Sequence, residues 1–264
     1  MEITKKLNYN LYYYLSKNLK VGTTFIGGRN YSGHICVHHR SGGVKRNYSL
    51  VDFFRRINSF GVIFKIIKDL NRTALLGAII YENGLFSYTI LSEGIQLGTK
   101  LYSGSKKHFR GKLKIGFASC LSLINLFTIV NNVEIKPYTG SKIARAAGTS
   151  CLLVGRKKDN IILKLKSGWN MYISKHCIAT LGHVSNMLHK FINYRKAGRV
   201  INLGKKSIVR GLAKNACDHP HGGGEGRKSP PSSPRSPWGW LTSGTSSNKK
   251  KYQIIKRKKF KVIR

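Results

Sequence analysis

The sequence predicts a mostly β protein, two small barrels in tandem flanked by extended basic arms. Apolar residues fall in short runs rich in β-branched and aromatic side chains, without long stretches of helical period. Glycine-bearing turns separate those runs. Beyond about residue 208 the pattern stops, and glycine, proline, serine and then lysine take over.

Residues 1–20 are a polar, tyrosine-rich lead-in. Strands are expected at 34–39, 48–52, 62–68, 75–81 and 85–90, and Asn83 with Gly84 supplies the two-residue turn that closes the last two into a hairpin. Five short strands at near-regular spacing favour closure over an open sheet with exposed edges, and five is the strand count of an OB-fold. A second β region is expected from about residue 124, with strands at 133–135, 150–154, 161–166 and 170–174. Leu163 and Leu165 alternate with Lys164 and Lys166, as a half-buried strand requires, and Ser167 with Gly168 turns the chain back.

The longest apolar run, from Cys120 to Val130, contains Ser122, Asn125 and Thr128. It falls well short of the ~20 residues that a membrane-spanning helix needs, so it is expected in the core and no membrane insertion is expected. Residues 215–248 are too rich in Gly, Pro and Ser to bury a core of their own. Residues 249–264 hold nine cations and no carboxylate, the composition of a solvated arm or a nucleic-acid contact.

The 264 residues carry 48 Lys and Arg against 9 Asp and Glu, a formal net charge of +39. Residues 135–264 hold 29 of those cations and 3 of the carboxylates, so the second half is the more electropositive. Self-repulsion of this size opposes a compact state unless a polyanion neutralises it, which excludes an ordinary metabolic enzyme as the default and points to nucleic acid. The N-terminus shows neither an apolar signal core nor an import-type amphipathic pattern. The five cysteines are widely spaced without a CxxC pair, arguing against a disulfide framework or a zinc ribbon and for a reducing compartment. If 34–39 is a strand, His34, Cys36 and His38 share a face that suits either a soft metal or RNA; no second ligand cluster follows, and no metal site is assigned.

The tract from Asp218 to Arg227 is the most specific feature. Gly222, Gly223 and Gly224 in a row cost conformational entropy and suit a backbone that must approach a phosphate or a base closely. Asp218 beside His219 also allows a general-base reading, in which His219 is the only catalytic candidate; no nucleophile accompanies it. A second glycine tract holds Gly27, Gly28, Arg29 and Asn30, and a basic loop runs from His39 and Arg40 through Gly42 and Gly43 to Lys45 and Arg46. Arg145 and the pair Lys196 and Arg199 likewise sit among Ala and Gly, small residues that let cations reach a phosphate backbone. A DNA-packaging protein accounts for the charge but not for these glycines, and an acyl-transfer enzyme accounts for His219 but not for the charge.

Taken in order, these motifs resemble the universal large-subunit ribosomal protein family number two. They are Gly28-Arg29-Asn30, the stretch from His39 to Tyr48, Arg145 to Thr149, Lys196 to Arg199, Val209-Arg210-Gly211, Asn215 to Arg227 and Pro237-Trp238-Gly239. Ala216-Cys217 departs from the family's usual Pro-Val, and Ser41 and Val44 replace a Gly and a His. The resemblance implies an OB-fold at 25–115 and an SH3-like barrel at 124–207, between a lead-in at 1–24 and an extension at 208–264. It implies a structural, non-enzymatic constituent of the large subunit, binding rRNA near the peptidyl transferase centre and supporting subunit association, tRNA placement and translation. The implied partners are large-subunit rRNA, neighbouring ribosomal proteins, the small subunit and nearby tRNA. No cofactor is implied beyond structural Mg2+ held mainly by rRNA. The RNA-contacting set implied is Arg29, Asn30, His39, Arg40, Lys45, Arg46, Arg145, Lys196, Arg199, Arg210, Asn215, Asp218, His219, His221, Gly222, Gly223, Gly224, Arg227, Lys228 and Trp238. The bias toward Lys, Ile, Asn, Tyr and Phe suggests an AT-rich genome, and with no import signal it leads to a mitochondrial ribosome, with plastid or bacterial cytoplasm as alternatives.

Overall fold

The computed structural model describes residues 15, 17–24, 26–104, 113–224 and 233–243, and the backbone of 254–255. They belong to two compact units. One comprises residues 1–23, 46–193 and 252–264, the other 24–45 and 194–251.

The first unit is mostly β, with two 3-10 turns at Leu121–Leu123 and Met187–Phe191. It opens with β1 (Lys20–Gly22) paired antiparallel to β2 (Asn47–Ser49). A meander follows of β3 (Ser59–Lys68), β4 (Leu75–Tyr81) and β5 (Phe86–Ile90), and β6 (Lys100–Ser103) returns along the other edge of β3. Gly84 closes the β4–β5 hairpin with φ 78°, so the Asn83-Gly84 turn forms as expected. β4 is buried on both faces: Leu76 and Ala78 enter one cluster with Tyr88 and Ile90, while Ile79 and Tyr81 point the other way into the main core. Gly61 and Gly77 allow this closeness, since a β-carbon on either would collide with the Ile79 or the Leu91 side chain.

The second group of strands in this unit is β7 (Ala118–Cys120), β8 (Ile129–Asn131), β9 (Val133–Glu134), β10 (Ser141–Ile143), β11 (Cys151–Lys157), β12 (Asn160–Leu165), β13 (Asn170–Ser174) and β14 (Ile178–Leu181). β11, β12 and β13 form a second meander, and β14 closes on β7 and β8. The short β15 (Ile254–Ile255) adds to the edge of β13. The whole is the mostly β arrangement expected, consistent with an OB-fold followed by an SH3-like barrel. One apolar cluster runs through both groups, from Ile63, Tyr81 and Leu101 to Leu153, Leu163 and Ile173, and β6 meets β7 in parallel at Ser103 and Ala118.

Two expectations about local structure are corrected. The run from Cys120 to Val130 is not uniformly core: Leu121, Ile124 and Val130 are buried, but a turn with Phe127 at φ 60° leaves Leu126 and Phe127 exposed. Residues 34–39 form no strand. Gly28 and Gly33 adopt left-handed φ values of 79° and 80°, and Asn30 Oδ1 accepts from the Ser32 and His34 N–H groups, so the chain turns there, without the strand face on which His34, Cys36 and His38 were to meet. Among the described residues no helix is long and apolar enough to cross a membrane.

Candidate nucleic-acid interface

The second unit brings together the two glycine-rich basic segments. Residues 24–45 fold around Gly28, whose carbonyl accepts from Cys36 N at 2.9 Å and Val37 N at 3.0 Å. A β-carbon on Gly28 would collide with the Val37 carbonyl, so the chain needs glycine here for closeness as well as for φ. The turn displays Arg29, His39, Arg40 and Lys45 at the surface, with Asn30 spent on holding it.

This loop lies along a short helix, α1 (Ala197–Asn202). Ser41 N–H donates to Gly204 O, Val44 N–H to Asn202 O and Lys206 N–H to His39 O. α1 ends in a Schellman-type cap: Lys205 N–H reaches Val200 O, Gly204 N–H reaches Ile201 O, and Gly204 sits at φ 81°. Lys196 precedes the helix and Arg199 lies in it, both exposed.

The glycine tract folds over a 3-10 turn, Gly211–Ala213, that starts just after the exposed Arg210. Asn215 O accepts from Asp218 N, His219 O from Gly222 N at 2.8 Å, and Lys214 O from Gly223 N at 3.0 Å. A β-carbon on Gly222 would run into the Asn215 carbonyl, and Gly223 and Gly224 have φ of 81° and 83°, so the three glycines serve the shape of the loop itself. His219 is buried beneath it. Its Nδ1 accepts the His221 N–H at 3.0 Å, and its ring meets the His221 ring edge-on with centroids 5.2 Å apart. His221 Nε2 accepts Arg235 N–H at 2.9 Å, tying the tract to a tight turn at 235–241. Gly239 N–H closes that turn on Ser236 O, with Pro237 and Trp238 at its corner. Trp238 and Trp240 are 64% and 75% exposed.

The expected residues therefore divide. Arg29, Asn30, His39, Arg40, Lys45, Lys196, Arg199, Arg210, Asn215, Asp218, His219, His221, Gly222, Gly223, Gly224 and Trp238 lie in this unit. Arg46 and Arg145 lie in the β unit: Arg46 donates to Leu70 O at 3.0 Å, and exposed Arg145 sits over the Phe53 ring at 5.0 Å. Arg227 and Lys228 fall outside the described residues, as does most of the arm at 249–264. Sequence reasoning passed over Lys205, Lys206 and Lys214 in the unit of the glycine loops, and Trp240, whose signal was its place two residues beyond Trp238. It also missed Arg55, a buried guanidinium within the β unit that donates to Ser103 Oγ, Gly116 O, Thr180 Oγ1 and Tyr102 O. No motif marked it.

Chemically, the loop does not set His219 up as a general base. The Asp218–His219 dyad of the general-base reading does not form: among the described residues no hydrogen bond joins the two side chains, and His219 Nδ1 is occupied by a backbone donor. Desolvation, followed by His221 and Lys214, pulls the His219 pKa below its ordinary value, so the neutral ring with its proton on Nε2 is the form held.

The chain is similar to known proteins over nearly all its length. Residues 16–103 match the family model described as Ribosomal Proteins L2, RNA binding N-terminal domain, and residues 114–239 match Ribosomal Proteins L2, C-terminal domain. It is 41% identical over 246 residues to the large ribosomal subunit protein uL2 of Orientia tsutsugamushi, covering 92% of this chain and 89% of that protein. It is 42% identical over 244 residues to the uL2 proteins of Brucella abortus and Brucella suis, covering 91% of this chain and 87% of each.

Proposed function

Because the chain belongs to the L2 family of large-subunit ribosomal proteins and is a structural, RNA-binding member of that subunit, we propose that it clamps large-subunit rRNA near the peptidyl transferase centre. Through that rRNA it supports subunit association and tRNA placement. The observation that carries this reading is the folding of two glycine-rich basic segments, far apart in sequence, into one unit whose cations and Trp238 face outward.

Its partners are rRNA and neighbouring ribosomal proteins, with the small subunit across the interface and tRNA nearby. Any Mg2+ is held mainly by the rRNA. The influence on peptide-bond formation is indirect: positioning of two substrates supplies about 7–11 kcal/mol without a protein base, whereas a general base adds only about 10²- to 10⁴-fold. Composition favours a mitochondrial ribosome, and a plastid or bacterial one is the second reading, since the relatives named above are bacterial.

Sedimentation tests the reading. The protein is expected to travel with large subunits at moderate salt, and recovery in free or chromatin fractions alone would reject it. Particles assembled with His219→Ala are expected to form poorly yet to make peptide bonds at near-normal single-turnover rates. A loss of two or more orders of magnitude in fully assembled particles would make His219 a catalyst. The location of the gene decides the compartment.

A further inference from the structure

The unit of residues 24–45 and 194–251 contains a pocket of about 530 Å³, roomy enough for one nucleotide. Val37, Val209 and Trp238 supply apolar wall, and His39, Ser207, Lys214 and His219 supply the polar part. Trp238 stands at the corner of a turn closed by Gly239 N–H on Ser236 O, which fixes the point of the backbone from which its exposed ring extends. His219 has its Nδ1 committed to the His221 N–H, so the edge left to a ligand is the Nε2–H, a donor. Lys and Arg far outnumber the carboxylates Asp218 and Glu225 in this unit. A ligand that suits all three features has a flat aromatic face, an acceptor edge and a negative charge.

We propose that this pocket takes one unstacked nucleotide of the large-subunit rRNA, its base against the Trp238 ring, an acceptor at His219 Nε2–H and its phosphate beside Lys214. Such a nucleotide anchors the loop by stacking, a contribution separate from the phosphate contacts around it. The proposal rests on the rRNA-clamp reading and adds to it a definite residue contact. A proline-containing or aromatic peptide from a neighbouring protein would also fill apolar wall, but it brings no charge to Lys214.

The test uses the full chain and complete large-subunit rRNA transcribed from the same source, with affinity measured at several salt concentrations. Trp238→Ala is expected to bind roughly 5- to 160-fold more weakly, the range for loss of one stacked base. Its log-log salt slope should equal that of the wild type, because no phosphate contact is removed. Trp238→Phe should restore most of the loss, and Trp240→Ala, whose ring does not line the pocket, should lose less than Trp238→Ala. Irradiation of native large subunits should leave a nucleotide adduct on the peptide holding Trp238 or on that holding His39. Wild-type affinity in Trp238→Ala, a changed slope, or an equal loss in Trp240→Ala would overturn the pocket while leaving the clamp reading intact. Failure of the wild-type chain to sediment with large subunits would remove both.

Discussion

The His219 imidazole lies flat against Gly211: a β-carbon at Gly211 would sit 2.5, 2.6 and 2.7 Å from its Cε1, Nδ1 and Nε2 atoms. Both residues are part of the loop that presents the glycine tract, so this face-on contact sets where the ring, and the His221 N–H bonded to it, can be. Gly211→Ala is expected to push the imidazole out and to cost about 1–3 kcal/mol of local stability, as overpacking does. Hydrogen exchange should show the change as faster exchange at the His221 and Gly222 amides, with β3, β4, β11 and β12 as protected as before. Unchanged exchange at those two amides would mean that the contact does not hold the loop.

The same ring makes the loop sensitive to acid. His219 has its pKa lowered in the folded protein, first by desolvation and then by His221 and Lys214. The unfolded chain therefore takes up the proton first, and the stabilisation is present above the ordinary histidine value. It declines as the pH falls from that value and is lost once the pH passes through the lowered folded value. A proton on Nδ1 would also break the bond from His221 N–H. NMR titration should give His219 a midpoint below that of a free histidine and an Nε2–H tautomer at neutral pH. A midpoint above the free value would contradict the arrangement.

How much of this was legible in the sequence depends on the range of the interactions. The β4–β5 hairpin and the β11 to β13 meander are local: Asn83-Gly84 and Ser167-Gly168 fix the turns, and alternation at Leu163 and Leu165 fixes the buried face. Residues 34–39 misled because β-branched and histidine content mimics a strand, whereas Asn30 and two left-handed glycines govern the backbone. The pairing of residues 24–45 with 194–251 depends on Gly43 meeting the end of α1, a contact over more than a hundred residues that no periodicity records. The glycine tract announced itself, but Gly222 meets carbonyls of its own loop while Gly223 and Gly224 supply left-handed turns, which composition alone does not separate from contact with a phosphate.

Arg55 was invisible for the opposite reason, since a basic residue in a +39 chain reads as surface. It is 4% exposed, and burial holds its guanidinium below the ordinary arginine pKa. Its donors reach Ser103 Oγ at 2.8 and 3.0 Å, Gly116 O at 2.9 Å and Tyr102 O at 3.2 Å, joining β6 to the segment that leads into β7. Arg55→Ala leaves these neutral buried acceptors without their donor and should cost about 1–3 kcal/mol, the range for leaving a buried polar group unsatisfied. Arg55→Lys should rescue little, because one ammonium lacks the planar fork. Urea unfolding measures both; a loss below about 1 kcal/mol in Arg55→Ala would show that the network contributes little.

The electrostatic part of RNA binding has its own signature. Arg40, Lys196 and Arg199 are exposed on the unit that carries the glycine loops, so each is free to displace one counterion from rRNA. Removing a phosphate contact lowers the magnitude of the log-log salt slope by about 0.7 to 0.9, so the triple alanine variant should lose about 2 to 3 from the slope. Its affinity should fall most at low salt and approach that of the wild type at high salt, where the released ions matter less. Arg46 serves as the contrast, because its guanidinium already donates to Leu70 O. Arg46→Ala is accordingly expected to lower the unfolding midpoint while shifting the slope by less than any one of the three exposed cations. Binding measured from low to moderate salt separates the two behaviours: an unchanged slope in the triple variant would show that these cations do not face the RNA.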